Sequence, residues 1–285
     1  MKSLFLSSLL ALGLLAVPAQ AAEYPAKPIT LMTAFNAGGG SDVSHRLLEK
    51  FAKGVFDQPI VVTYKAGAGG EIGWTWLVGA KADGYTIGGV DLPHIVLQPM
   101  LRPEGQPGYK TEQLSPLCGL VYDADVVMVP EDGPYKTFKD LIEYAKANPG
   151  KVKVATVGKL TGDHLFLMQI EKLTGAKFTQ VPYSGSGKAI PALLSGEVDA
   201  YFGSGSSFLR MEKTRGLATP QNIPAEARQY LETKFAELCA NPEYQKAVKS
   251  SGLMPQFQTG KAFGEIIRTE GEQAKKILEA YGLLK

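Results

Sequence analysis

Three short turns rich in Gly, Ser and Thr are the segments of this sequence best suited to bind an anion. They run from Phe35 to Asp42, from Thr156 to His164 and from Tyr183 to Lys188, each between a strand-like run and a helical run. The first N–H groups of a helix lack intrahelical partners and carry partial positive charge, so carboxylates and phosphates bind there. One such turn often only connects two elements. Three turns at the carboxyl ends of parallel strands would face one cleft, where ligands of open α/β sheets bind.

Motifs typical of enzymes are missing from the sequence. There is no G-x-S-x-G, no H-E-x-x-H and no C-x-x-C. The three histidines, His45, His94 and His164, are too far apart for metal-ligand spacing. We therefore expect no enzymatic activity, no metal and no cofactor. His45 and His164 each follow a predicted helix start, where they would either contact an anionic ligand or only solvate the turn.

The composition excludes one class of partner. Lys and Arg number 30 against 28 Asp and Glu, and no run of five or more basic residues occurs, so we expect no nucleic-acid binding. The two cysteines, Cys118 and Cys239, are expected to be buried thiols, with a disulfide as the alternative in an exported chain.

The N-terminus has the pattern of a secretory signal peptide. Lys2 precedes an apolar run from Leu4 to Val17, Pro18 ends that run, and Ala19-Gln20-Ala21 supplies the small residues of a cleavage site. We predict a signal over residues 1–21, a mature chain that begins at Ala22, and a periplasmic location. The alternative is an uncleaved membrane anchor, although a spanning helix needs about 20 apolar residues. No later apolar run reaches that length, so we expect a soluble mature protein.

Strand-like and helical runs alternate along the mature chain, which predicts parallel sheets flanked by helices. Residues 101–116 read as a loop, a second α/β unit begins near residue 120, and the chain after Thr214 reads as helical to its end. The predicted strands are Ile29–Phe35, Pro59–Tyr64, Gly84–Val90, Val126–Val129, Val152–Val157, Phe178–Tyr183 and Val198–Phe202. Two predicted helices have a cap, one at Ser41 or Asp42 and one at the pair Thr137 and Asp140. Other predicted helices begin near Glu71, Thr161, Lys188 and Pro224, and a last amphipathic helix includes Phe263 to Tyr281.

An ordered series of short motifs covers nearly all of residues 23–213 and resumes near Arg215. With these motifs the chain resembles the Bug-type solute receptors of tripartite tricarboxylate transporters. The matching segments are Tyr24-Pro25-Ala26-Lys27-Pro28-Ile29, Phe35 to Asp42 with Arg46, Ala66 to Gly73, Ala82-Asp83-Gly84-Tyr85-Thr86, Thr137 to Gly150, Gly158 to His164, Val181 to Gly187 and Leu194 to Ala200.

The resemblance implies an α/β, two-domain Venus-flytrap fold of the type II periplasmic binding proteins, in which each domain is a mostly parallel sheet flanked by helices. It also implies that a small organic carboxylate binds in the interdomain cleft, partly through ordered water, and passes to membrane transporter subunits. The site residues carried over by position are Phe35, Gly39, Ser41 and Asp42 on one side, and Thr156, Gly158, Gly162, His164, Tyr183 and Ser184 on the other. Asp42 is negative, so we expect it to organise the turn rather than touch the anion.

Two departures from the family pattern stand out. Gly203 occupies a position where the family usually has Asp. Near Thr214 a stretch of roughly 40 to 50 residues is missing, a length within the usual size of a domain. We therefore assign residues 22–120 and 215–285 to domain 1, and residues 121–214 to a domain 2 that lacks a strand and one hinge crossing.

The sequence therefore predicts a monomeric periplasmic receptor for a carboxylate. Two alternatives remain open. An exported α/β hydrolase or transferase would need a nucleophile with a base in reach. A ligand-sensing partner of a signalling system would have the same cleft.

Overall fold

The computed structural model describes residues 23–102, 108–204 and 212–284. The predicted signal peptide, residues 1–21, lies outside the described residues. The strands are β1 (Ile29–Thr33), β2 (Ile60–Tyr64), β3 (Thr86–Asp91), β4 (Leu114–Met128), β5 (Lys153–Thr156), β6 (Thr179–Pro182), β7 (Ala200–Ser204), β8 (Glu212–Pro220) and β9 (Met254–Thr259). The helices are α1 (Gly40–Ala52), α2 (Glu71–Val78), α3 (His94–Leu101), α4 (Phe138–Ala147), α5 (Gly162–Thr174), α6 (Ser186–Leu194), α7 (Ala225–Ala240), α8 (Pro242–Ser250) and α9 (Gly260–Ala280).

The strands form a sheet of order β2-β1-β3-β8-β4-β7-β5-β6, with β9 added on β4. Strand β1 is parallel to β2 and β3, and β5 is parallel to β6 and β7. Strands β4 and β8 are antiparallel to each other and lie between these two parallel groups. We call the β1–β2–β3 side, with β9 and helices α1–α3 and α7–α9, the first lobe, and the β5–β6–β7 side with α4–α6 the second lobe.

The chain passes to the second lobe along β4 and returns along β8. The amino-terminal part of β4 pairs with β8, and its last residues, from Asp125 to Met128, pair with β7. Strand β8 thus carries the chain back to the first lobe, and the lack of a strand and one hinge crossing in domain 2 stays a prediction. The predicted boundaries at residues 120/121 and 214/215 fall inside these two strands and stay predictions.

Each lobe has its own apolar core. In the first lobe, Ile29, Leu48 and Leu231 belong to one cluster, and in the second lobe Phe166 and Phe202 lie in a separate cluster. A further cluster contains residues of both lobes, among them Trp74 and Tyr201. Burial of apolar surface contributes about 25 cal/mol per Å² to the stability of each lobe. The shared cluster stabilises the contact between the lobes in the same way.

Local signals predicted several elements correctly. Thr137 accepts a hydrogen bond from the Asp140 backbone N–H at 3.1 Å, and the Asp140 carboxylate accepts one from the Thr137 N–H at 2.9 Å, which forms a capping box at the start of α4. Gly175 ends α5 in the left-handed conformation with φ 77°, which glycine adopts without a steric penalty.

The prediction of an all-helical segment after Thr214 is wrong, because β8 continues to Pro220 and β9 follows at Met254–Thr259. Strand β8 contains Gly216 and Ala218, which have little intrinsic preference for strands. Pairing with β3 on one side and β4 on the other buries Leu217 completely and forms the strand nevertheless. Tertiary pairing overrides local propensity here.

Two other boundaries differ from the predictions. The expected loop over residues 101–116 is wrong at its ends, because α3 extends to Leu101 and β4 begins at Leu114, well before the predicted Val126. Helix α1 has Gly39 as its N-cap without a side-chain cap, so the prediction that Ser41 or Asp42 caps it is wrong. Both side chains have partners elsewhere.

Cys118 and Cys239 are buried free thiols, which confirms the preferred prediction. Burial raises the pKa of the Cys239 thiol to about 12. Among the described residues, no helix is both long enough and apolar enough to span a bilayer.

Candidate functional site

A cavity of about 20 Å³ lies between the two lobes. That volume holds about one water-sized group. The cavity forms where the carboxyl ends of β1, β3 and β5 meet the starts of α1, α3 and α6, and β8 contributes one side chain. Its lining consists of Phe35, Gly39, Gly40, Ser41, Asp91, His94, Val157, Ser186 and Arg215.

Two helix N-termini, one from each lobe, meet at this cavity. Helices α1 and α6 begin after Gly39 and Gly185, and neither N-cap residue supplies a side-chain hydrogen bond. A Cβ placed on Gly39 would lie 2.7 Å from the Ser186 hydroxyl oxygen, so the two starts approach closely. Their partial positive charges add at the cavity and favour an anion there.

A buried ion pair lines the same cavity. The Arg215 Nε donates to the Asp91 carboxylate at 2.9 Å, and the Ser41 hydroxyl donates to the same oxygen at 2.7 Å. Arg215 and Asp91 are each only 5% exposed. Arg215 and Asp91 are register partners in the β8–β3 pairing, so the sheet places this pair.

Direct contacts join the lobes around the cavity. The Asn36 N–H donates to the Ser184 carbonyl at 3.3 Å, and the Asn36 side-chain amide donates to the Ser184 hydroxyl. On the other side, Gln98 Nε2 donates to the Lys159 carbonyl at 3.2 Å. These bonds require the lobes to be close together, so the structure is a closed arrangement.

Four predicted site residues belong to the first lobe. Phe35, Gly39 and Ser41 line the cavity. Asp42 instead accepts hydrogen bonds from the Gly38 N–H at 2.7 Å and from the Tyr64 hydroxyl at 2.6 Å. Asp42 thus holds the turn that leads into α1.

The predicted residues from the Thr156–His164 turn surround the cavity without lining it. Thr156 is fully buried and accepts a hydrogen bond from Gln180 at 2.8 Å. A Cβ on Gly158 would lie 3.0 Å from the Gly69 Cα of the first lobe. A Cβ on Gly162 would lie 3.0 Å from the Pro93 ring of that lobe. This turn therefore forms part of the contact between the lobes.

The remaining predicted residues have local partners. The His164 Nδ1 accepts from the Leu160 N–H at 3.2 Å, and burial lowers the pKa of His164. The Tyr183 hydroxyl donates to Glu197 at 2.7 Å. Ser184 binds Asn36 of the opposite lobe, as described above, and so takes part in the lobe contact rather than the cavity wall.

The other two histidines differ in their positions. His45 lies on the buried face of α1, where its Nδ1 is 2.7 Å from the Thr33 hydroxyl, and burial lowers its pKa to about 4. His94 lines the cavity, and its Nε2 lies 3.7 Å from the Asp163 carboxylate of the second lobe. His45 is thus a core residue and His94 a cleft residue.

Sequence reasoning missed six lining residues: Gly40, Asp91, His94, Val157, Ser186 and Arg215. Asp91 is the last residue of a parallel strand. Ligands of open α/β sheets bind at the carboxyl ends of strands, so this rule could have identified Asp91. Ser186 lies within a turn that was singled out. Arg215 had no such signal, because the segment that contains it was predicted to be helical.

In the part of the chain that the structure describes, no group of three His, Cys, Asp or Glu side chains could hold a metal ion. The side chain that the family usually has at position 203 would have little room here. A Cβ on Gly203 would lie 2.2 Å from the Tyr201 hydroxyl and 2.6 Å from the Asp163 carboxylate.

Two curated relatives are similar to this chain over different lengths. A UPF0065 protein encoded in the gbd 5′ region of Cupriavidus necator is 27% identical, and the alignment covers 96% of this chain and 94% of the relative. The protein BugT of Bordetella pertussis is 35% identical over 65% of this chain and 57% of BugT.

Solved structures share the fold. The periplasmic binding protein BugD is 23% identical with a TM-score of 0.85, covering 92% of this chain and 100% of BugD. A Rhodopseudomonas palustris protein solved with adipate is 20% identical with a TM-score of 0.83, covering 91% of this chain and 99% of that protein. MatC from R. palustris, solved with bound malate, is 18% identical with a TM-score of 0.82, covering 90% of this chain and 100% of MatC. The predicted two-domain periplasmic-binding-protein fold is confirmed.

The alignment with the C. necator relative extends over 311 residues, although 96% of this 285-residue chain is only about 274, so about 37 aligned positions have no residue here. This excess agrees with a shortened chain, and its location near Thr214 stays a prediction.

A model of the receptors of the tripartite tricarboxylate transporter family matches residues 45–211, more than half of the chain. The resemblance found from the motifs is therefore confirmed, and this chain belongs to the tripartite tricarboxylate transporter receptor family.

Proposed function

We propose that this chain binds a small organic carboxylate between its two lobes in the periplasm and presents it to the membrane subunits of a tripartite tricarboxylate transporter. The observation that carries the proposal is the meeting of two helix N-termini, α1 and α6, from opposite lobes at one cavity. Membership in a receptor family confirms the prediction that the chain is not an enzyme.

The chemistry of the cavity suits a carboxylate. Backbone N–H groups at the starts of α1 and α6 would donate to its oxygens, and the Ser186 hydroxyl lies beside them. Charge-assisted hydrogen bonds contribute about 1.5–3 kcal/mol each. Three or four of them reach about 8 kcal/mol, which corresponds to micromolar affinity. Two structural relatives were solved with adipate and with malate, which are ligands of this class.

Binding must include a movement of the lobes. A cavity of about 20 Å³ accommodates about one water-sized group, such as one carboxylate oxygen, but not an organic acid. The ligand would enter with the lobes apart, and the hydrogen bonds of Asn36 and Gln98 to the second lobe would form on closure. Closure then presents a surface that the open form lacks, which is how a receptor signals its loaded state.

The test is calorimetry of the mature protein, residues 22–285, with malate, adipate, citrate and benzoate. We expect at least one acid to bind with micromolar affinity, and its saturation at 100 times the Kd to stabilise the protein by about 2.7 kcal/mol. For a chain of this size that raises Tm by about 5 °C or more. Absence of both heat and thermal shift across a wide panel of mono-, di- and tricarboxylates would refute the proposal.

Three further parts of the proposal have their own measurements. Mass spectrometry of protein secreted to the periplasm should show a chain that begins at Ala22. Light scattering should give the mass of a monomer. Co-purification from membranes should recover transporter subunits, whereas recovery of a sensor kinase instead would favour the signalling alternative.

A further inference from the structure

Among the described residues that line the cavity, Arg215 supplies the full positive charge and Asp91 the full negative charge. Both side chains are 5% exposed, and the pair connects β8 to the end of β3. A buried ion pair contributes little net stability, because desolvation offsets most of the Coulomb attraction. Its position at the cavity wall therefore suggests a role in binding rather than in folding.

The geometry places the guanidinium beside the helix start that would bind the anion. A Cβ on Gly40 would lie 2.9 Å from Arg215 Nη2, so the guanidinium lies against the first residue of α1. The Nε edge faces Asp91, which also holds Ser41 of the same first turn. An anion at the α1 N-terminus is therefore within reach of the Nη2 side of the guanidinium.

We propose that Arg215 binds the ligand carboxylate directly and that Asp91 is a positioning residue whose negative charge limits the affinity. This inference rests on the proposed function and names the residue that supplies the full positive charge. Arg215 offers a planar set of N–H donors that matches a carboxylate. Asp91 orients that set through Nε and at the same time repels a second carboxylate nearby.

The proposal predicts opposite effects for the two partners. Arg215→Gln removes a charge-assisted hydrogen bond and should weaken carboxylate binding on the order of 10- to 100-fold. Asp91→Asn keeps an oxygen that can accept from Ser41 and Arg215 but removes the negative charge. It should tighten binding at least severalfold, because two anions no longer share one guanidinium. A pair with a purely structural role would give weaker binding, or no change, for both variants.

The experiment is calorimetry of wild type and variants with whichever of malate, adipate, citrate and benzoate wild type binds. Arg215→Lys keeps the charge without the planar donors and should fall between wild type and Arg215→Gln. Arg228→Gln is the matched control, because Arg228 binds Ser115 and the Pro116 carbonyl of the first lobe and does not line the cavity. Its ligand affinity should equal that of wild type.

The outcomes separate the two proposals. If wild type binds an acid and Arg215→Gln binds it within twofold of wild type, the role of Arg215 is refuted and the proposed function stands. If Asp91→Asn weakens binding as Arg215→Gln does, the pair is structural and the inference is also refuted. If wild type binds no acid in a wide panel of mono-, di- and tricarboxylates, both proposals fail. If Arg215→Gln does not fold, the other two variants still test the inference, which requires weaker binding for Arg215→Lys and tighter binding for Asp91→Asn.

Discussion

Gly187 offers a direct test of whether ligand binding needs the closed arrangement. It lies in the first turn of α6, and a Cβ added there would lie 2.1 Å from the Ala37 carbonyl oxygen of the first lobe. An ordinary contact begins at 3.4 Å, so Gly187→Ala forces the lobes about 1.3 Å apart at this point. The Ala37 oxygen belongs to the backbone, and the backbone of residue 187 fixes the position of the Cβ, so neither side can yield by a rotamer change.

The magnitude follows from the bonds that this separation breaks. The Asn36 N–H to Ser184 carbonyl bond is already 3.3 Å long and would exceed hydrogen-bond distance. Loss of this bond and of the adjacent side-chain bond, at about 1 kcal/mol each, predicts affinity about 30-fold weaker. Within the second lobe, Gly187→Ala should leave the free energy of unfolding unchanged or raise it by up to about 1 kcal/mol, because Ala has a higher helix propensity than Gly.

The assay is calorimetry with the acid that binds wild type, together with small-angle scattering with and without ligand and denaturation in urea. We expect Gly187→Ala to bind more weakly, to compact less on ligand addition, and to be at least as stable as wild type without ligand. Gly79→Ala is the control, since a Cβ there has its nearest contacts at 3.7 Å, and its affinity should not change. A Gly187→Ala protein with wild-type affinity and compaction would refute closure as the binding step.

Three more predictions concern stability and thiol chemistry. The pKa of His45 in the folded protein, about 4, lies below its unfolded value near 6.5. Folding therefore favours the neutral ring. The contribution of His45 to the free energy of unfolding is complete above pH 6.5 and falls by about 3 kcal/mol as the pH decreases to 4. Urea denaturation should show that the free energy of unfolding decreases less between pH 7 and pH 4.5 for His45→Gln than for wild type. Equal decreases would contradict this prediction. Because Cys118 and Cys239 are buried thiols with raised pKa values, Ellman's reagent should label neither in the native protein and two per chain in guanidinium chloride. A count of zero after unfolding would mean that they pair. Thr137→Ala removes the α4 cap and should lower the free energy of unfolding by about 1 kcal/mol without changing ligand affinity, and weaker binding would show that α4 is coupled to the cleft.

Local sequence was sufficient for the parts of this protein that depend on neighbours in the chain. The α4 capping box, the glycine that ends α5 and the alternation of strands with helices all have causes within a few residues. The turns from Phe35 to Asp42 and from Tyr183 to Lys188 were recognised for the same reason, since a helix start is a local structure. The ordered motifs added the family and with it the fold.

Long-range pairing determined the rest. Strand β8 forms because β3 and β4 flank it, and this pairing places Arg215 beside Asp91, 124 residues earlier in the chain. No periodicity or local preference encodes that proximity. The same holds for the junction of α1 with α6 across the lobes, which sets the size of the cavity. Side chains at a cleft are brought together by the packing of two separate cores, so their shared surroundings follow from the tertiary arrangement and not from any one segment.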